Sequence, residues 1–317
     1  MLRSLTTLAA ALAVAALGSA VDDGLDDLSL LQTVVDQRPA NATRMASHLA
    51  ITVPPLQTPA TFQRDYTSDR QPPTEQPAPA AATEDRFAMR NVVAEYIAMT
   101  LFVIIGCGSA MAIFKEEGSA WVLQVALAFG FAITALAYSL GRYSGGQINC
   151  AVTLALWVYG SLSWEQALFN FIAQMLGSIT GAVVLCIIFP REMDKTGGLG
   201  SNGISEGFTS FGALVGEFLM TFLLVITVFE SGHVADPASG IAVICIGLAV
   251  FLAHCVLIPI DGCSINPTRS FGPALVTTFR NGKASAFTDM WVFWCGPCLG
   301  ALAAAGVHSL FRLTDST

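Results

Sequence analysis

Two short loops constrain this chain more than anything else in it. Cys263-Ser264-Ile265-Asn266-Pro267-Thr268-Arg269-Ser270-Phe271-Gly272-Pro273 turns from a polar loop into an apolar segment. Asn266 is a good helix N-cap, and Pro267 suits the first helical position, where its missing N–H is not needed. An earlier partner reads Ser144-Gly145-Gly146-Gln147-Ile148-Asn149-Cys150-Ala151-Val152-Thr153. Each loop follows a long apolar segment, and each opens an apolar run too short to cross a bilayer before the next break. Two short half-helices at corresponding positions of two halves point to a site at the bilayer midplane.

Composition agrees with a bilayer. Of 317 residues, 54% are hydrophobic and only 12% charged, about half the usual ~25%. The mean hydropathy is +0.62. The chain therefore reads as a polytopic membrane protein. No basic patch exists to hold a nucleic acid. The eight cysteines fall mostly within apolar spans, where Cys behaves as a small hydrophobe. Cys295-Gly296-Pro297-Cys298 matches C-x-x-C, but inside a predicted spanning helix, which argues against redox use. The histidines at 48, 233, 254 and 308 are scattered, so the sequence offers no nucleophile–base or metal-ligand set, no metal site and no cofactor.

Residues 1–20 have the plan of a secretory signal: Arg3, an apolar run from Leu5 to Leu17, and a small-residue exit at Gly18-Ser19-Ala20. An uncleaved signal anchor is the alternative. Residues 21–88 read as a disordered Pro/Ala-rich tail with Pro54-Pro55 and Pro72-Pro73, and they carry a glycosylation sequon at Asn41. The membrane domain follows over 89–313. Apolar spans are predicted at about 91–113, 121–141, 164–189, 211–230, 240–260 and 289–311, each near the roughly 20 residues a crossing needs. The half-helix at Asn149 lies between the second and third, and that at Asn266 between the fifth and sixth. The expected fold is all-α: six transmembrane helices plus two re-entrant half-helices, in two repeats over about 91–190 and 211–312. With three spans per repeat, the second copy enters from the opposite side. Ala94-Glu95-Tyr96-Ile97-Ala98-Met99-Thr100-Leu101-Phe102 echoes Gly216-Glu217-Phe218-Leu219-Met220-Thr221-Phe222-Leu223-Leu224 at the same place in each half. The glycine pairs 177/181, 212/216 and 296/300 are candidate close helix contacts.

The ionisable residues singled out inside the apolar segments are Glu95, Glu217, His254 and Arg269. Such residues are costly in lipid and face polar interiors. The matched pair Glu95 and Glu217 is suited to accept hydrogen bonds from loop N–H groups that lipid would leave orphaned; a proton relay or ion-coupling pair is the alternative. Asn149 and Asn266 are N-caps at least. If the two half-helices meet head-on, both amides and both positive dipole ends face one spot. Arg269 is unfavourable near a helix N-terminus, so it reads as a donor and electrostatic barrier in a pore, with an anion site as the competing use.

On these residues the chain from about 91 to 312 resembles the aquaporin, or major intrinsic protein, family. Ser144–Thr153 is similar to its first signature loop, and Gly262–Gly272 to its second. The resemblance implies a passive channel for water that excludes protons and ions, built as a homotetramer in the lipid bilayer. It implies pore motifs at Asn149, Cys150, Ala151 and Asn266, Pro267, Thr268. It also implies a selectivity constriction of Phe129, His254, Cys263 and Arg269, with His254 and Arg269 as two polar donors. That is the water-selective combination; glycerol-conducting relatives carry a small residue at the position of His254 and an Asp at that of Ser270. Ala274, Phe293 and Trp294 also fit the water type. Two departures stand out: Cys150 replaces the family's usual Pro, and Thr268 its usual Ala. They leave open a same-fold channel for glycerol, hydrogen peroxide or ammonia; a coupled transporter is the remaining rival. The resemblance puts Arg86, Arg90, Arg142 and Arg312 on one side of the bilayer and Lys115, Arg191, Lys195, Arg280 and Lys283 on the other. That near-even split leaves the orientation open, and with it the choice between plasma and organelle membrane.

Overall fold

The computed structural model describes residues 87–234, 240–282 and 284–314. The expected signal segment 1–20, the tail up to residue 86 and the sequon at Asn41 lie outside the described residues.

Among the described residues, eight α-helices run in chain order: α1 Met89–Ile113, α2 Trp121–Ser144, α3 Cys150–Tyr159, α4 Trp164–Ile188, α5 Ser210–Val234, α6 Ile241–Asp261, α7 Pro267–Asn281 and α8 Met290–Thr314. Six of these are long and apolar enough to cross a membrane. At about 1.5 Å per residue, α3 and α7 are half-helices. Large apolar side chains such as Phe131, Ile187 and Leu248 stay exposed on the outside of the bundle, as a lipid-facing surface requires. The helix limits are set by local chemistry. Gly145 and Gly262, at φ 86° and 83°, end α2 and α6 in the left-handed conformation. Side chains of Asn149 and Asn266 cap α3 and α7, and Pro267 occupies the first helical position of α7.

The packing is that of a duplicated unit. α1 packs on α2 and α4; in the second repeat, α5 packs on α6 and α8. The half-helices are exchanged: α3 lies against α8 and α7 against α4, while α2 meets α6 across the pseudo-symmetry. Close approach depends on glycine. A β-carbon at Gly177 would stand 2.6 Å from the Tyr96 carbonyl, and one at Gly181 2.7 Å from that of Thr100. Gly296 and Gly300 do the same against Leu214, Glu217 and Phe218 on α5. At the α2–α6 crossing, Gly130 and Gly247 face each other's carbonyls. The third expected pair is corrected in part. Gly216 meets Leu257 of α6, but Gly212 meets only Thr209, its neighbour in the turn before α5.

The connection 189–209 folds inward rather than away. Asp194 holds the N–H groups of Thr196 and Leu199 at 3.1 and 2.9 Å, and Arg280 of α7 reaches Asp194 at 3.5 Å. Arg191 donates to the Arg280 carbonyl at 2.8 Å. Gly200 and Asn202 are thereby brought down to the end of α6 and the start of α7.

Candidate functional site

The two loops meet at their asparagines. Asn149 Oδ1 accepts from the Ala151 N–H at 2.8 Å, and Asn266 Oδ1 accepts from Arg269 N–H at 3.1 Å. Each cap fixes which end of the carboxamide faces its own helix. The nitrogens then cross over: Asn149 Nδ2 donates to the Ile265 carbonyl, and Asn266 Nδ2 to the Ile148 carbonyl, both at 2.7 Å. The accepting carbonyls belong to residues in an unusual conformation. Ile148 has φ 52° and Ile265 φ 44°, a left-handed geometry that costs a β-branched residue on the order of 1–3 kcal/mol. Each amide has two N–H groups and uses one in this exchange. Both asparagines line a cavity of about 490 Å³ that runs between α2, α5 and α6 towards Tyr138, Arg142 and Gly240.

The carboxylates hold the loops from behind. Glu95 accepts from the N–H groups of Gln147 and Ile148 at 3.0 and 2.7 Å, from the Ser144 hydroxyl at 2.5 Å and from Gln174 Nε2 at 2.8 Å. Glu217 accepts from the N–H groups of Ser264 and Ile265, both at 2.6 Å. Both are fully buried.

The motif residues Cys150 and Thr268 join the two half-helices. The Cys150 N–H donates to Thr268 Oγ1 at 3.4 Å, and that hydroxyl donates to Asn266 Oδ1 at 2.6 Å. Ala151 and Pro267 are buried beside them.

On the other side of the asparagines from the cavity, Phe129, His254 and Arg269 come together. The rings of Phe129 and His254 stack at 4.2 Å, and the Arg269 guanidinium lies 5.0 Å from the Phe129 centroid. Arg269 Nη1 donates to the Gly200 carbonyl at 2.9 Å and to Asn202 Oδ1 at 2.8 Å, while its Nε meets no protein partner. Cys263 is reached through the loop: it is fully buried at φ 56°, and its N–H donates to Asp261 Oδ1 at 2.9 Å. His254 Nδ1 lies 2.8 Å from the Val250 carbonyl and Nε2 has no protein partner. The expectation of two donors is thereby revised. With Nδ1–H committed to a carbonyl, the neutral imidazole offers Nε2 as an acceptor.

A scan against family models matches the one described as Major intrinsic protein over residues 82–308. The chain belongs to the major intrinsic protein family. Aquaporin-5 of Homo sapiens is 42% identical over 230 residues, covering 72% of this chain and 83% of the relative. Aquaporin PIP2-7 of Arabidopsis thaliana is 39% identical over 230 residues, 69% of this chain and 79% of the relative. The X-ray structure of the aquaglyceroporin from Plasmodium falciparum superposes with a TM-score of 0.64 at 21% identity, covering 72% of this chain and 99% of that one. At that identity the likeness bears on fold alone. This major intrinsic protein is thus an integral, multi-pass membrane protein.

Several site residues were not singled out in the sequence. Gly200 and Asn202 hold Arg269, but they sit in a connection without periodicity. Gln174 and Ser144 complete the Glu95 cluster without a matching residue of the same kind in the second repeat. Asp261 is one residue beyond the predicted fifth span. The spans also hold a further ionisable pair, His308 Nδ1 to Glu230 Oε1 at 2.7 Å, with the His308 ring stacked on Phe229 at 4.6 Å. Glu230 and His308 lie within the predicted spans and are legible there as ionisable residues, whereas Asp261 requires the fifth span to be extended by one residue.

Proposed function

We propose that this chain is a passive channel that conducts water down an osmotic gradient and excludes protons and ions, working as a homotetramer with one pore per subunit. The observation that carries the reading is the reciprocal exchange between Asn149 and Asn266 at the meeting of two opposed half-helix N-termini. The Asn149 carboxamide is held by two hydrogen bonds and that of Asn266 by three, and each keeps one N–H for a permeating molecule. A water oxygen that accepts from both turns its hydrogens outward, and it cannot at the same time relay a proton along the file. The two dipole ends add a positive potential at the same point. In this reading Asn149-Cys150-Ala151 and Asn266-Pro267-Thr268 are the paired pore motifs. Phe129, His254, Cys263 and Arg269 form the narrowest ring, where Arg269 repels cations and the acceptor at His254 holds water across from it. Glu95 and Glu217 serve as loop clamps, which the backbone donors on each of them support over an ion-coupling role.

The test is osmotic swelling of vesicles containing the purified protein, with water and glycerol compared. Fast water flux of low activation energy without glycerol entry is expected, blocked by a thiol reagent and insensitive to it in Cys263→Ser. Glycerol entry at a comparable rate would sink the filter assignment and favour the broader solute reading. Saturable, gradient-coupled flux would favour a transporter.

A further inference from the structure

The loops carrying Asn149 and Asn266 have the same backbone path but are closed differently. Five residues before Asn149 stands Ser144. Its hydroxyl donates to Glu95 at 2.5 Å and accepts from the Gly146 N–H at 3.2 Å. Five residues before Asn266 stands Asp261. Its Oδ1 accepts from the Cys263 N–H at 2.9 Å, as Ser144 accepts from Gly146. Asp261 thus reproduces the accepting half of Ser144's role. The donating half must go to Glu217, which holds the Ser264 and Ile265 N–H groups immediately after the Cys263 N–H that Asp261 holds.

Glu217 needs that donor more than its counterpart would. Glu95 takes a further N–H from Gln174, three residues before Gly177. The corresponding residue three before Gly296 is Phe293, which has nothing to donate. Glu217 is left with two backbone N–H groups. Asp261 Oδ2 is buried and meets no protein donor. Two ionised carboxylates on one loop turn, both fully buried and with no hydrogen between them, would repel.

We propose that Glu217 and Asp261 hold a single proton between them, with Asp261 as the acid whose O–H takes the place of the Ser144 hydroxyl. The pair then carries one negative charge. The charged and titratable groups facing it are Arg269 on α7 and Cys263 in the loop. α8 presents Gly296 to the Glu217 side chain, and the inward connection presents Asn202, whose Nδ2 donates to the Asp261 carbonyl at 3.3 Å. One charge is matched by Arg269. A second would leave the site negative beside the constriction and would reverse the sign of the barrier to cations.

The proton is tested by infrared spectroscopy of the full chain in lipid vesicles at neutral pH. The expected signal is the carbonyl stretch of a protonated carboxylic acid in a water-poor site, shifted by deuterium exchange. It should move when aspartate carries a ¹³C-labelled carboxyl group and disappear in Asp261→Asn. Absence of the band, or a band indifferent to labelled aspartate, would overturn the proposal without reference to any variant. Persistence of the band in a folded Asp261→Asn protein would overturn it equally. None of these readings depends on conduction, so they stand or fall apart from the water-channel reading.

Discussion

Thr268→Ala is the substitution whose cost the structure predicts most specifically. Thr268 Oγ1 does two things: it donates to Asn266 Oδ1 at 2.6 Å and accepts from the Cys150 N–H at 3.4 Å. Cys150 is the first residue of α3, and the Asn149 side chain serves the N–H of Ala151 instead. α7 has no such problem, since its first residue is Pro267 and lacks an N–H. Loss of the hydroxyl removes one buried hydrogen bond, worth about 1 kcal/mol, and strands one buried donor, at about 1–3 kcal/mol. The long 3.4 Å bond places the second figure at the low end, so the expected total is about 2 kcal/mol. Cys150→Pro removes the stranded donor. In that background Thr268→Ala should cost only about 1 kcal/mol. The assay is a double-mutant cycle on purified protein by reversible denaturation in mixed micelles, with water permeability measured alongside. Equal costs of Thr268→Ala in both backgrounds, within the ~0.5 kcal/mol expected of independent sites, would refute the link between the half-helices.

Other perturbations follow from single contacts. Asn202→Ala removes an acceptor from Arg269 and from the Ser270 hydroxyl, each held at 2.8 Å; freeing Arg269 should admit glycerol in the swelling assay, and continued exclusion would argue that Gly200 alone suffices. Gly106→Ala places a methyl group where the Phe129 ring now lies. The ring should move towards His254 and Arg269 and cut water permeability several-fold in a folded protein, so unchanged flux would count against Phe129 as a wall of the constriction. Gly181→Leu drives a side chain into the Thr100 carbonyl and Val103. Overpacking of about 1–3 kcal/mol or more should lower the yield of folded protein, and wild-type thermal stability would show that α1 and α4 can separate without cost.

What could be read from the sequence is what duplication writes twice. The six spans, the two half-helices and the pairs Glu95/Glu217 and Asn149/Asn266 each occur at matched positions, so each copy supports the other. What could not be read is of three kinds. The hold on Arg269 uses the backbone carbonyl of Gly200, and no side-chain pattern reports a carbonyl. The bond between Cys150 and Thr268 joins residues 118 apart and depends on how closely the half-helices meet. The clamp on each loop is completed by unlike residues, Ser144 and Gln174 in one copy and Asp261 in the other, so comparison of the repeats hides them. The tautomer of His254 follows from the nearness of Val250 in the preceding turn, which a motif does not encode.

Asn149→Asp separates two accounts of the asparagines. As helix caps, Asn and Asp are nearly equivalent, and a carboxylate near a helix N-terminus is if anything favoured. If capping were their role, the substitution would be close to neutral. The exchange between the loops forbids it. Asp retains the oxygen that accepts from Ala151 but puts a second oxygen 2.7 Å from the Ile265 carbonyl, where Nδ2 now donates. A donor–acceptor contact becomes an acceptor–acceptor contact, with a charge in a site only 3% exposed. Leaving a buried charge unpaired costs on the order of 3–5 kcal/mol, and the carbonyl concerned is held by a residue already strained at φ 44°. The same reasoning applies to Asn266→Asp against Ile148. Both variants should lose most of their folded population in mixed micelles. A shift within ~0.5 kcal/mol at Asn149 would mean that the asparagines cap their helices and nothing more, and the pore would need another explanation for its pair of oriented donors.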